Sequence, residues 1–330
     1  MEMKDNITVP DIYLARKRIA PLVRKTPLVM SAPLTELAGA PIYLKLENLQ
    51  ETGAFKIRGA ANRILSLTED ERARGVTTFS SGSHGRGVAF VARQLGIRAQ
   101  VCLSERVSSA KVEGIRSLGG EPVQYGKSQD EAMYHSFELA EKQGATVVNP
   151  INDFFIIAGQ GTIGIEILED LPDVDTVLVP LSSGGLISST ALVLKSANPD
   201  IRVIGISPEV APAMYWSLKA GHPIEIEEKD SLADALLGGI GLDNKYTFRI
   251  VQEYVDDVLL LTEEEIAEGM AFALREEHQV VEGGGAVGIA ALLNNKVRDI
   301  NGKVVAIVTG GNVDIPLLLK VAQGHSGNVK

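Results

Sequence analysis

Short apolar runs alternate with stretches of helical periodicity along this sequence, and that alternation limits the folds open to it. The runs are PIYLKLE (41–47), GVTTFSS (75–81), RAQVCLS (98–104), GATVVNP (144–150), VDTVLVPL (174–181), IRVIGIS (201–207) and KVVAIVT (303–309). Between them, segments such as GVAFVARQLG and EEIAEGMAFALREE repeat their apolar residues about every 3.6 positions. Strands alternating with helices predict βαβ units and a mostly parallel sheet, an α/β fold. Ligands in such sheets bind outside the carboxyl ends of the strands, so the strand-to-helix loops are where chemistry is expected. Residues 78–150 form a compact run of strands and helices and read as a smaller lobe, with 1–77 and 151–330 as the larger one. No short repeat or low-complexity linker marks the boundary.

Three of those loops combine glycine with hydroxyl residues: SSGSHGRG (80–87), PLSSGGLIS (180–188) and VTGGNVD (308–314). Glycine lets backbone approach a ligand closely, and successive amides at a helix start make a nest for an anion. SSGG before a helical stretch is therefore a phosphate candidate, with Ser182 and Ser183 as further donors, although glycines at such turns also serve as simple caps. Neither SSGSHGRG nor PLSSGGLIS gives the G-x-G-x-x-G of a dinucleotide site, and no G-x-x-x-x-G-K-[ST] is present. A fourth stretch, TGAFKIRGA (52–60), sets Lys56 between Phe55 and Ile57. An amine among apolar neighbours has its charged form disfavoured, which frees its lone pair for attack.

Composition narrows the partners. A formal charge of −10 over 330 residues argues against nucleic acid or an anionic membrane, since both demand clustered Lys and Arg. No apolar run approaches the roughly 20 residues of a membrane span, and the charged start MEMKDNITVP does not read as a signal peptide. The single cysteine, Cys102, excludes an internal disulfide, fits a reducing cytoplasm, and sits in a strand-like run that suggests packing, not nucleophilic work. His135, His222, His278 and His325 lie at no ligand spacing, so no zinc site is legible. Asp256 and Asp257 read as a solvated turn.

LENLQETGAFKIRGA, SSGSHGRG, IIAGQGTIGIEIL, VPLSSGGL and VTGGNVD, in that order, resemble the serine/threonine dehydratase and serine racemase family. The resemblance covers about residues 10–320 and is specific as a set. It implies a fold-type II pyridoxal-phosphate enzyme: two lobes, each a mostly parallel sheet flanked by helices, like the tryptophan synthase β subunit. It also implies a homodimer acting on a small amino acid. A sequence that ends soon after VTGGNVDIPLLLKVAQ is expected to carry no regulatory domain.

Carried over by position, the resemblance makes Lys56 the lysine that joins the cofactor aldehyde and later takes the Cα proton. It puts the cofactor phosphate on Ser182, Ser183, Gly184, Gly185 and Leu186, where relatives usually have four glycines in place of the SSGG run. Phe55 packs near the pyridine ring, and Thr309 offers a neutral hydroxyl to the ring nitrogen, which favours prompt loss of a β-leaving group. Ser83 replaces the asparagine that relatives turn to the phenolic oxygen. The loop Ser80, Ser81, Gly82, Ser83, His84 and Gly85 grips the substrate carboxylate, with His84 supporting it. Arg86 either adds positive potential there or points to solvent; Glu282 either tunes the ring or caps the next helix. Ser81 stands where racemases keep an acid/base opposite the lysine, so racemisation is the alternative to β-elimination. A non-catalytic binder is a third reading, distinguished by making neither product. Ser207 and Ala213 replace the two carboxylates of the family's divalent-cation site, so no Mg²⁺ is expected there, and Glu209 alone reads as solvated.

Overall fold

The fold is that of a computed structural model, described for residues 6–80, 82–227 and 229–324. Ten strands are present among these residues: β1 (Leu28–Met30), β2 (Ile42–Leu46), β3 (Val76–Phe79), β4 (Ala99–Leu103), β5 (Glu121–Gln124), β6 (Thr146–Val147), β7 (Thr176–Pro180), β8 (Arg202–Pro208), β9 (Asp257–Leu261) and β10 (Val304–Val308). Each of the seven expected runs holds a strand. They form two sheets, one ordered β1-β2-β10-β7-β8-β9 and one ordered β5-β4-β3-β6. Every pairing is parallel except that of β1 with β2. The architecture is the α/β, fold-type II arrangement expected, with helices over the faces of both sheets.

The middle strands are apolar throughout because both faces are covered. In β10, Val304, Ala306 and Val308 enter one core with Leu178 of β7 and the helix Gly283–Leu293. Val305 and Ile307 enter the opposite core with Val177, Val179 and the helix Gly185–Ala197. This two-residue alternation across a doubly covered sheet is why VVAIV and TVLVP read as unbroken runs.

The strand β9 falls on the expected Asp256–Asp257 turn and corrects it. Asp256 is not simply solvated: its carboxylate accepts from the Val203 amide at 2.7 Å and from Lys195 Nζ at 2.8 Å, and the chain runs on into the edge strand paired with β8. Cys102 is buried in β4. No helix among the described residues is long and apolar enough to cross a membrane.

The helix Lys56–Leu65 meets both sheets. Ile57, Ala60, Ala61 and Ile64 pack with Val76, Val88, Val91 and Ala99 around the four-stranded sheet. Gly59 is required by a close crossing, since a Cβ there would lie 2.8 Å from the Ile156 carbonyl oxygen. On its other side the helix turns Arg58 into a buried group of charges beneath β2. Arg58 makes paired bonds to Glu47 (2.7 and 2.8 Å) and to Glu166 (2.7 and 2.8 Å), and a further one to Thr162 Oγ1 at 3.0 Å. Lys45 of β2 completes the set, giving one bond to Glu166 and one to the Thr26 carbonyl, both 2.7 Å. Two cations thus face two carboxylates, and all four residues are buried.

Candidate active site

The loops after β3, β7 and β10 and the start of the Lys56 helix converge on a cleft of about 700 Å³ between the sheets. Lys56 is the first residue of its helix, and its Nζ lies 5.1 Å from the centre of the Phe55 ring. The Phe55 amide donates to the Thr309 carbonyl at 3.0 Å, and Ala54 pairs with Gly310, so the loop before Lys56 is tied to the end of β10. Among the described residues no hydrogen bond or ion pair reaches the amine. Burial pushes its pKa down to about 8, against an opposing pull from the Glu282 charge. An amine-selective acylating reagent is therefore expected to label Lys56 of the cofactor-free protein half-maximally near pH 8. Mass spectrometry across a pH series checks this; a midpoint near the ordinary lysine value of about 10.4 contradicts it.

In the loop after β3, the Gly82 amide donates to Ser80 Oγ at 3.3 Å. A Cβ at Gly85 would lie 2.2 Å from the Ser80 carbonyl oxygen, so only glycine fits that turn. Ser83 Oγ accepts from Asn312 Nδ2 at 2.9 Å. His84 Nε2 lies 3.0 Å from the Val148 carbonyl. A carbonyl only accepts, so the proton sits on Nε2 and leaves Nδ1 a bare acceptor, buried and without a partner. Burial, then the neighbouring Lys56, push the His84 pKa down to about 3, so the ring stays neutral at ordinary pH. Ser81 lies outside the described residues.

After β7, Ser182 Oγ donates to the Leu237 carbonyl at 3.4 Å, and Thr247 Oγ1 donates to the Ser183 carbonyl at 2.7 Å. Gly184 takes a left-handed turn (φ +91°) into the helix Gly185–Ala197, and a Cβ there would lie 2.8 Å from Met214 Cε. A Cβ on Gly185 would meet Gln160 Oε1 at 2.7 Å. The left-handed φ at Gly184 favours glycine there, and a side chain at either position would have to push aside the end of Met214 or Gln160. The first amides of the helix have no acceptor within it and point to the cleft end.

The family of pyridoxal-phosphate dependent enzymes matches residues 19–310. This chain belongs to that family. A putative threonine dehydratase of Sinorhizobium fredii is 44% identical over 324 residues, 98% of each chain. An L-threonine ammonia-lyase of Thermotoga maritima is 44% identical over 316 residues, 96% of this chain and 78% of that one. Maize serine racemase superposes with a TM-score of 0.90 at 35% identity, covering 97% of this chain and 98% of its own.

The residues present fit the family's cofactor. The cleft offers a primary amine with a lowered pKa for an aldehyde, and a helix start with two serines and close-packed glycines for a phosphate. Thr309, with a neutral hydroxyl that donates to the Gly284 carbonyl at a long 3.3 Å, stands behind the wall near Phe55. Lys56, Ser80, Gly82, Ser83, His84, Ser182, Ser183 and Glu282 line the cleft. Phe55, Gly85, Gly184, Gly185, Leu186 and Thr309 back those residues and do not line it; Leu186 belongs to the core of the six-stranded sheet. Glu282 is 9% exposed. Burial and the charge of Asp234 push its pKa up to about 7, opposed by the Asn312 amide, Lys111 and Lys56.

Ser207 is buried at the end of β8, and Ala213 opens the helix Ala213–Ala220. Sequence reasoning missed Asn312, whose side-chain amide joins the Thr52 carbonyl (2.9 Å) to Ser83, and Asp234, Gly238 and Gly239 on the rim. The signal for them was the paired glycines in LLGGIG and GGNVD, which mark close backbone approach without saying to what.

Proposed function

We propose that this enzyme eliminates water from a small β-hydroxy amino acid such as L-threonine or L-serine, and that water then hydrolyses the released enamine to a 2-oxo acid and ammonia. The observation that carries the reading is the unpartnered Lys56 amine at the head of the cleft, with its proton affinity lowered by burial. Bound pyridoxal phosphate supplies a carbonyl for the substrate amine and an electron sink for charge at Cα. Within that setting the chain's own groups divide the work. The amides of residues 80–85 hold the substrate carboxylate, as oriented donors hold an anion. Lys56 Nζ takes the Cα proton, and loss of the β-hydroxyl follows. The first turn of the helix Gly185–Ala197, with Ser182 and Ser183, would hold phosphate; Ser83, braced by Asn312, would meet the phenolic oxygen, and Thr309, set just behind the cleft wall, the ring nitrogen. His84, neutral and bonded to Val148, braces the loop. The two relatives named for threonine dehydration support this reading.

A second reading, amino-acid racemisation with Ser81 returning the proton to the opposite face, draws on the likeness to maize serine racemase. The two divide on products. With L-threonine and L-serine, the expected result is 2-oxo acid and ammonia in equal amounts, with D-amino acid at most a minor product on chiral chromatography. Accumulation of the D-amino acid without 2-oxo acid overturns the lyase reading, and neither product supports a non-catalytic binder.

The division into a lobe of residues 78–150 and a larger remainder belongs to the same proposal, and the four-stranded sheet with strands between Val76 and Val147 supports it. So do a homodimer and a cytoplasmic setting, supported by the family and the lone cysteine respectively.

A further inference from the structure

We propose that Arg86 is a specificity-determining residue that selects substrates carrying a second carboxylate on the side chain, so that the preferred substrate is a β-hydroxy dicarboxylic amino acid. This rests on the lyase reading of the same cleft. Arg86 lies in the first turn of the helix Ser83–Gln94, directly after the loop assigned to the amino-acid carboxylate, and it lines the cleft. Its Nε is buried and has no hydrogen-bond partner. Among the described residues no carboxylate stands within 4.0 Å of the guanidinium, and no acceptor bonds it. A guanidinium cannot shed its proton at physiological pH, so it holds a charge that is partly withdrawn from water and unanswered by the protein.

One feature shows a space kept for this side chain, and another sets its charge apart. Gly114, inside the helix Ser109–Ser117, packs against it: a Cβ there would lie 2.5 Å from Arg86 Nη1. Glycine weakens a helix interior, so its presence opposite the guanidinium buys room for it. The other cation on the same wall, Lys111, is already answered by Asp234 at 3.4 Å, whereas Arg86 is not. Glu282 attracts Arg86 through space without bonding it, and burial, with the Asp234 charge, raises that carboxyl's pKa to about 7, which weakens it as a counter-ion. The methyl of threonine offers a guanidinium nothing. A carboxylate in its place accepts a paired, charge-assisted bond and relieves the buried cation.

The test compares ligands on the holoenzyme by the shift in cofactor absorbance, using L-aspartate and L-alanine, neither of which has a β-hydroxyl to lose. The wild type is expected to bind L-aspartate at least about tenfold more tightly, the scale of one charge-assisted bond. Arg86→Gln is expected to bring that preference to within about threefold. Arg86→Lys keeps part of it, and Gly114→Ala, which displaces the guanidinium while leaving its charge, lowers it and carries the test if Arg86→Gln does not fold. A wild type that does not favour L-aspartate, or a preference that survives both Arg86→Gln and Gly114→Ala, overturns the proposal. A parallel arm measures 2-oxo acid release from threo-3-hydroxyaspartate and L-threonine. No 2-oxo acid from either, with an Arg86-dependent aspartate preference, sinks the lyase reading and leaves the role of Arg86 standing. Release from L-threonine with no such preference does the reverse.

Discussion

Lys56→Ala is expected to lower 2-oxo acid release by about a thousandfold or more, because a positioned proton acceptor alone is commonly worth 10²–10⁴ in rate. The same variant removes the amine that would hold the cofactor, so borohydride treatment is expected to leave a pyridoxyl mass on residue 56 of the wild type and none on the variant. Turnover of the variant at a tenth of the wild-type rate would contradict the assignment. Stability moves the other way. The Lys56 pKa is about 8 in the fold, below the value of roughly 10.4 for a solvated lysine. The unfolded chain therefore binds more protons between those values, and stability rises with pH across that window. Below pH 8 the ammonium costs the cofactor-free fold its full penalty. Cofactor-free Lys56→Ala is thus expected to be more stable than wild type to urea at pH 7, with the gap narrowing by pH 10. Catalytic readiness at this position costs folding free energy.

Arg58→Met is expected to cost about 3–5 kcal/mol of folding free energy, the usual loss when one partner of a buried ion pair is removed. Burial alone would raise the Glu47 carboxyl; the charge and bonds of Arg58 instead hold it below the usual carboxylate range. Removing Arg58 leaves Glu47 and Glu166 with Lys45 as their one remaining cation in the group, and Lys45 bonds only Glu166 there. Arg58→Lys is expected to recover little, since an ammonium cannot supply the two forks that the guanidinium makes at 2.7–2.8 Å. Urea unfolding of cofactor-free protein measures both variants. A loss under about 1 kcal/mol for Arg58→Met would show that the group behaves like an exposed pair.

That group marks where the sequence stops being legible. Glu166 lies 108 residues beyond Arg58 and Glu47 11 before it, and each, alone, looks like a surface residue; only the fold brings them together away from water. Lys56 was legible because its neighbours are apolar and its motif has a fixed order. The central strands were legible because both faces are buried and the apolar run is unbroken. Three of the four edge strands, β1, β5 and β9, were not. β5, EPVQ, carries a proline that an edge position tolerates, and its residues are half-buried or exposed. β9 begins at an aspartate pair that suggests a turn, and its carboxylate proved to be tied to the next strand's backbone. Within the site, the glycines of the phosphate loop were visible, but the side chains packed against them, Met214 and Gln160, were not.

One helix has its apolar side in the core of the four-stranded sheet and its arginine locked beneath the six-stranded one. Each sheet therefore holds this helix by a different means, and the amine at its tip is tied to both at once. At the cleft mouth the ion pair between Lys111 of the helix Ser109–Ser117 and Asp234 is long and exposed, and such a pair costs little to exchange for water.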